Sequence, residues 1–419
     1  MNIKFFKDSF YKVLGFNSIS IVLKIIMGLV STKLSSIYLG LQGINTLENF
    51  RNFTSLSDSF SQFGLQNGIV KYSATSHSIK QDQKVISTIF FLLLVTSFIF
   101  IFLIILNINY VKFYIFGNQS FGFLVIAYAL LSPFANLQFL LLNYLQGKQG
   151  HKFVILINSI GYLLNIILSF YLIINYHLIG AMIQLIVVPI ILMIISLFII
   201  HKKVVFFNLI SIHYVNFSVI KGLLVFSLMN LVSGALTPLS FIFIRYLVQS
   251  NLSADEAGVW SSIVRISVFY MTFVSSICNL YFYPKLSKTE IFSEYKAIIA
   301  EYYRKFIPIV FLGLLLCFVL QKVVILLIYT EDFLILRDYF YLQLIADFVK
   351  SLSLIFGYLL IAKKKIWQFI LFEIISLGSY CLGSYIFIEY LKLDGVYYSL
   401  IGSLMIYFTV TYLAYRYNK

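Results

Sequence analysis

VISTIFFLLLVTSFIFIFLIILN, residues 85–107, contains no charged side chain, and its reading decides the class of fold. In hydrocarbon a chain must satisfy its own backbone N–H and C=O groups, so an apolar run of this length reads as a membrane-spanning helix. About 20 apolar residues suffice to cross a ~30 Å hydrocarbon core. Working outward with that ruler finds twelve candidate spans, near 13–38, 44–72, 85–107, 121–146, 153–175, 178–200, 217–248, 257–284, 304–329, 334–362, 366–389 and 394–415. The third, sixth, ninth and twelfth are near-continuous apolar runs, and the second is the weakest by hydropathy. The predicted fold is an all-α integral membrane protein of about twelve transmembrane helices in two six-helix lobes. The polar connection around 201–216 divides them into lobes 1–207 and 208–419.

The composition agrees. Of 419 residues 61% are hydrophobic and 11% charged, whereas soluble domains run near about half and about a quarter. The 18% aromatic share suits Tyr and Phe belts at headgroup depth. A net charge of +15 raises the question of nucleic acid, but the basic residues recur in small groups between apolar runs rather than in one soluble patch. No nucleic-acid partner is expected. Cys278, Cys317 and Cys381 fall inside apolar segments and read as packing residues, not as a disulfide framework. The basic stretch MNIKFFKDSFYK reads as the flank of the first span, because the apolar run behind it is too long for a signal peptide.

Lys and Arg set the expected orientation. With the N-terminus in the cytoplasm, Lys71, Lys80, Lys84, Lys148, Lys152, Lys202, Lys203, Lys285, Lys288 and Lys363 to Lys365 all fall inside. The other face receives few cations and the acids Asp255, Glu256, Glu331, Asp332, Glu389 and Asp394. Both termini are therefore expected in the cytoplasm, in a multi-pass membrane protein. Each half has six spans, so a repeat between halves is parallel. From Gly43 to Arg51 in one half, and from Gly258 to Arg265 in the other, the chain repeats a glycine followed by an arginine on the next span. The longest connection, from Pro284 to Lys305, is expected to hold a short surface helix.

Ionisable side chains inside spans cost at least ~2.5 kcal/mol near the helix centre and usually line a cavity or pathway. In the first span Asn17, Ser20, Lys24, Gly28, Ser31 and Ser35 step by three or four, placing them on one helical face. Glu48, Arg51, Ser55, Asp58, Gln62 and Gln66 do the same in the second. The eighth carries Ser261, Arg265, Thr272, Ser275 and Asn279; the seventh carries Asn230, Ser233, Thr237 and, nearer its outer end, Arg245. The tenth holds Asp347 and Lys350, and the eleventh holds Glu373. Two plainer readings stay open. Glu48 with Arg51, and Asp347 with Lys350, are spaced for intrahelical ion pairs, and Ser, Thr and Asn stripes also join helices without touching cargo. Lys24, Arg51 and Arg265 resist those readings better and favour a shared cationic cavity. A cavity of that kind suits an anion such as a phosphate or pyrophosphate, which the planar guanidinium binds bidentately.

No GxxxxGK[ST] loop is present, so uphill work would draw on an ion gradient or the membrane potential. His77, His151, His177, His201 and His213 sit at span ends or in loops without metal spacing. No metal, cofactor or catalytic residue is expected, and the chain reads as a transporter rather than an enzyme.

LKIIMGLVSTKL (23–34), ENFRNF (48–53), NGIVKY (67–72), EAGVWSSIVRIS (256–267), YFYPKLSK (281–288), LQLIADFVKS (342–351) and FGYLLIAKKK (356–365) resemble a Wzx-type polysaccharide flippase. Such flippases form part of the multidrug/oligosaccharidyl-lipid/polysaccharide exporter superfamily, and the branch resembled is that of lipid III and O-antigen translocases. The resemblance implies two six-helix bundles around a central cavity. It implies alternating access that flips an undecaprenyl-pyrophosphate-linked oligosaccharide, an O-antigen or enterobacterial common antigen repeat unit, from the cytoplasmic to the periplasmic leaflet. That places the chain in lipopolysaccharide or related polysaccharide biosynthesis. On the matching motifs Lys24, Arg51, Lys71, Arg245, Asp347, Lys350 and Glu373 are positions this branch also keeps, whereas Arg265 departs from a small polar residue. Lys24, Arg51, Arg265 and Arg245 are then the candidate cargo-binding cations. Glu48, Asp58, Asp347, Lys350 and Glu373 are the candidate coupling or gating groups, with H+ or Na+ as the ion. Membrane lipids and the polymerase and chain-length proteins of the same pathway are the further expected partners. The alternatives are a multidrug or cation antiporter of the same superfamily, a membrane-bound glycan polymerase or transferase, and a plain scaffold. An antiporter's cavity should favour acids, a polymerase usually exposes a long periplasmic loop, and a scaffold needs no polar stripes.

Overall fold

The computed structural model describes residues 10–76, 78–117, 121–201, 206–289 and 292–417. Expectations resting on Lys202, Lys203 and His77 lie outside these residues, as does the side chain of Asn17. The described chain is helical throughout, as a bilayer demands. Nine helical stretches among the described residues are long and apolar enough to cross a membrane. Three of them contain a backbone break in the left-handed region, at Gly40 (φ 63°), His177 (φ 49°) and Lys392 (φ 51°). Dividing those three yields the twelve spans expected from hydropathy.

Two compact units emerge, residues 1–38 with 49–238 and residues 39–48 with 239–419. The first contains most of α1 (Phe10–Ser61), then α2 (Gln66–Thr75), α3 (Ile79–Leu106), α4 (Ile108–Phe116), α5 (Gly122–Gly147), α6 (His151–Leu168) and α7 (Ile174–His201). It also takes the first part of α8 (Phe217–Asn251), up to Pro238. Its core joins Leu65, Ile69, Ile86, Ile89, Leu140, Leu141 and Ile157. Polar side chains tie the helices where the interior is dry. Ser61 donates to Asn136 Oδ1 at 3.3 Å, Asn136 donates to Ser97 at 2.7 Å, and Thr96 donates to the Ser61 carbonyl at 2.5 Å. Bonds of this kind between membrane helices contribute about 0.6 kcal/mol each.

The second unit contains the remainder of α8, α9 (Ala254–Ile277), α10 (Tyr283–Lys288), α11 (Phe292–Glu301), α12 (Ile307–Val319), α13 (Gln321–Ile328), α14 (Arg337–Ala362) and α15 (Ile366–Tyr417). Ser253 caps α9 by accepting from the Glu256 N–H at 3.0 Å, and Asp255 and Glu256 suit the positive end of the helix dipole. The expected surface helix before Lys305 takes a different form. α11 runs through a π-helical turn, Tyr302–Phe306, straight into α12, because Tyr302 and Phe306 are buried and hold it in the ninth span. α3 and α12 expose rows of large apolar side chains, among them Phe98, Phe102, Ile309, Leu312 and Leu316, as lipid-facing scaffold requires. The cysteines are free thiols; Cys278 is buried.

The two halves repeat each other in detail. Chain reversal at His177 brings Gln184 to Ser169 at 2.7 Å, and reversal at Lys392 brings Ser376 to the Ser403 carbonyl at 3.3 Å. Each hairpin needs a glycine three residues on: a Cβ on Gly180 would stand 1.9 Å from the Leu172 carbonyl, and one on Gly395 2.5 Å from that of Phe387. The same number of residues separates His177 from Lys392, Gly180 from Gly395, and Lys148 from Lys363. Lys148 and Lys363 open turns of one geometry, with Gln149 at φ 60° and Lys364 at φ 56°.

Candidate cationic transport site

The polar stripe of the second span has the burial pattern of a helix bordering open space. Glu48, Arg51, Asp58 and Gln62 are only partly buried, and Ser55 and Gln66 are exposed. Leu47, Phe50, Phe53, Ser57 and Ser61 on the opposite face are all buried. Phe50 and Phe53 pack against Phe116 and Tyr128, so an aromatic wall backs the stripe and fixes its direction. In the first span Ser20, Ser31 and Ser35 are buried while Lys24, on the same face, is exposed. Its ammonium thus emerges from an otherwise packed face.

Asp58 accepts a 2.6 Å hydrogen bond from the Tyr128 hydroxyl of α5, which also reaches the Thr54 carbonyl at 3.2 Å. A carboxyl group so held is fixed in direction.

In the second unit Glu48 stands opposite Arg265, with Oε1 3.8 Å from Nε and both side chains partly exposed. Glu48 is also within electrostatic range of Arg245. The structure places Arg245 deeper than its expected cargo-contact role: the residue is 1% exposed, donates from Nε to Ser261 at 2.8 Å and lies 5.2 Å from the Trp260 ring centroid. Burial on Trp260 and Ser261 makes it a support for the cluster rather than a surface cation. Arg265 has Phe269 below its guanidinium at 5.3 Å.

Asp347 is buried and held by Tyr270 at 2.5 Å and Gln343 at 3.1 Å. The intrahelical pair with Lys350 that its spacing allows is replaced by these two bonds, because α14 turns Asp347 inward toward α9 and leaves Lys350 exposed. Lys350 still acts electrostatically on both Asp347 and Glu373. Lys71 is exposed.

Several participants escape the sequence. Tyr128 and Tyr270 orient the acids from other helices and Ser261 supports Arg245 from the next one, with no local spacing to link them. Gln343, by contrast, stands one helical turn before Asp347 on α14, a spacing the sequence does show. A buried ion pair is also missed: Lys148 Nζ lies 2.8 Å from Asp82 Oδ1 and donates to the Ser76 carbonyl at 2.7 Å. The available signal was an acid in the first turn of α3 amid lysines. In the other half Lys363 donates to the Thr289 carbonyl at 3.0 Å and lies 4.3 Å from the Tyr295 ring centroid. Among the described residues, no group of three or more His, Cys, Asp and Glu side chains is arranged to hold a metal ion.

Twelve spans among the described residues, in two units and with charged stripes inside them, make a multi-pass membrane fold. The fold resembles that of solved members of the multidrug/oligosaccharidyl-lipid/polysaccharide exporter superfamily. The chain aligns with an inward-facing multidrug resistance MATE transporter of that superfamily at a TM-score of 0.73 and 16% identity, covering 94% of each chain. It aligns with the lipid II flippase MurJ in an inward closed conformation at 0.72 and 14% identity, covering 96% of this chain and 87% of that one. By sequence it is 27% identical over 367 residues to the lipid III flippase of Escherichia coli (strain K12), covering 85% of this chain and 86% of that protein. No family model matches. These relatives are flippases and transporters rather than enzymes, and the resemblance read from the sequence motifs stands on them.

Proposed function

We propose that the chain flips a lipid-linked oligosaccharide across the membrane, with the cationic stripes receiving its phosphate linkage. The observation that carries this reading is the only partly buried Glu48-Arg51-Ser55-Asp58-Gln62 face, combined with similarity to a lipid III flippase. In finer terms, the cargo is an undecaprenyl-pyrophosphate-linked repeat unit of O-antigen or enterobacterial common antigen. It moves from the cytoplasmic to the periplasmic leaflet of a bacterial inner membrane, with both chain termini in the cytoplasm and chain-order lobes 1–207 and 208–419. Lys24, Arg51 and Arg265 bind the pyrophosphate and acidic sugars, while the isoprenoid stays in lipid. Guanidinium groups at low dielectric hold a diphosphate strongly and directionally. An entering H+ or Na+ at Glu48, Asp58 or Asp347 resets the charge after release, driven by an ion gradient or the membrane potential. Transfer to the pathway's polymerase and chain-length proteins follows.

The MATE likeness favours one rival, a multidrug antiporter. The charge of the cargo separates the two. In a flippase-null strain this chain should restore surface polysaccharide, and Arg51→Ala should not. Restoration by both would remove the cationic stripe from the mechanism; extrusion of cationic dyes without restoration would favour the antiporter.

A further inference from the structure

We propose that Glu48 is a tethered anion occupying, on Arg265, the seat of the cargo's phosphate, and that displacing it releases segment 39–48 from the unit that holds it. The inference rests on the anionic-cargo reading above and adds how binding is converted into movement.

Four observations converge. First, the Glu48–Arg265 separation of 3.8 Å is longer than the ~2.7–2.9 Å of a tight charge-assisted bond. Arg265 Nε is buried and makes no hydrogen bond, so its N–H is left for an acceptor with better geometry. A buried unmet donor is unfavourable, and an incoming phosphate oxygen satisfies it. Second, the surroundings favour an anion over a neutral group. Arg265 stands against Glu48 and Arg245 acts electrostatically on the same carboxylate, so two positive charges are there to balance a diphosphate in its place. Arg245 cannot retreat, because Ser261 and Trp260 hold it.

Third, Glu48 is the last residue of the 39–48 segment, which packs with the second unit although the chain on both sides belongs to the first. Side-chain bonds that secure it include Gln42 to Asp255 at 3.3 Å and Asn45 to Gln249 at 3.0 Å. The Glu48 contact with Arg265 joins these bonds at the end of the segment. Fourth, Gly40 lies next to the segment's start at φ 63° with nothing within 4 Å of a would-be Cβ, which gives the segment a pivot.

The recognising chemistry is that of a phosphate or diphosphate ester. Its source is either the lipid-linked cargo or a bilayer phospholipid, and the test distinguishes them. The full-length chain, with its three cysteines replaced by serine, would carry Asn45→Cys and Gln249→Cys in nanodiscs of phosphatidylethanolamine. Disulfide yield reports the seated segment. Undecaprenyl pyrophosphate should lower that yield several-fold, whereas phosphatidylglycerol at equal charge should not. Glu48→Gln should lower it without ligand and bind undecaprenyl pyrophosphate about tenfold tighter. A Glu48→Arg, Arg265→Glu exchange should restore the seated segment and abolish its response to pyrophosphate, which guards against a folding defect. Unchanged yield with undecaprenyl pyrophosphate, or equal effect of phosphatidylglycerol, would overturn the proposal. Normal binding and flipping by Glu48→Gln would overturn it while leaving the flippase reading intact. Absence of binding by every variant and by the parent would overturn both.

Discussion

The hydroxyl of Tyr128 on α5 donates a 2.6 Å hydrogen bond to Asp58 on α1. The second half makes the same bond with the partners exchanged: Tyr270 on α9 donates at 2.5 Å to Asp347 on α14. In each half a phenol and a carboxylate thus join the second span to the fourth, but the acid has changed helix. The halves share a scaffold and differ in where they keep their charge.

Tyr128→Phe and Tyr270→Phe each leave a carboxylate without its phenolic donor. A hydrogen bond to a charged group contributes about 1.5–3 kcal/mol, so both variants should unfold at lower temperature in detergent. Adding Asp58→Asn to the first, or Asp347→Asn to the second, should recover part of the loss. A double variant no more stable than the single one would remove the phenol from any orienting role.

Lys148 and Lys363 open equivalent turns and should respond unequally. Lys148→Met strands the buried Asp82 carboxylate and should destabilise the protein by about 3–5 kcal/mol, with Asp82→Asn partly rescuing it. Lys363→Met removes one carbonyl bond and a ring contact, so about 1–2 kcal/mol is expected. Thermal unfolding of the four proteins decides this.

Gly64→Ala should fail to fold well. The residue sits at φ 61°, and a Cβ there would stand 2.3 Å from the Ser227 carbonyl, so strain and collision combine. Yield of monodisperse protein should fall sharply. Gly313→Ala, where a Cβ meets nothing within 4 Å, is the matched control.

Arg51→Lys keeps the charge and loses the planar fork. It should keep some transport, whereas Arg51→Ala should lose it, with unfolding temperatures of both close to that of the parent. Equal transport by all three would show that charge at this position is not used.

Much of the fold was legible because the bilayer sets span length, and hydropathy reports it. The polar residues Asn175 and His177, and Glu389, Lys392 and Asp394, interrupt the apolar pattern, so the expected boundaries fall beside the two reversals. The short stretches HLIG (177–180) and KLDG (392–395) share the offset of the Gly43 and Gly258 pair. At the common offset Arg51 corresponds to Ile266 rather than Arg265, so the arginines are neighbours in register and not equivalents. The site was legible only as stripes. Glu48 with Arg265, Asp347 with Tyr270 and Lys148 with Asp82 join residues on different helices, and helical spacing carries no information about them.

The most direct measurement is leaflet-resolved flipping of a polyprenyl-pyrophosphate-linked oligosaccharide in proteoliposomes containing the purified chain. The cationic-stripe mechanism requires flipping by the parent, its loss in Arg51→Ala, and competition by inorganic pyrophosphate. Flipping that persists in Arg51→Ala, or a parent that moves only cationic compounds, would contradict it.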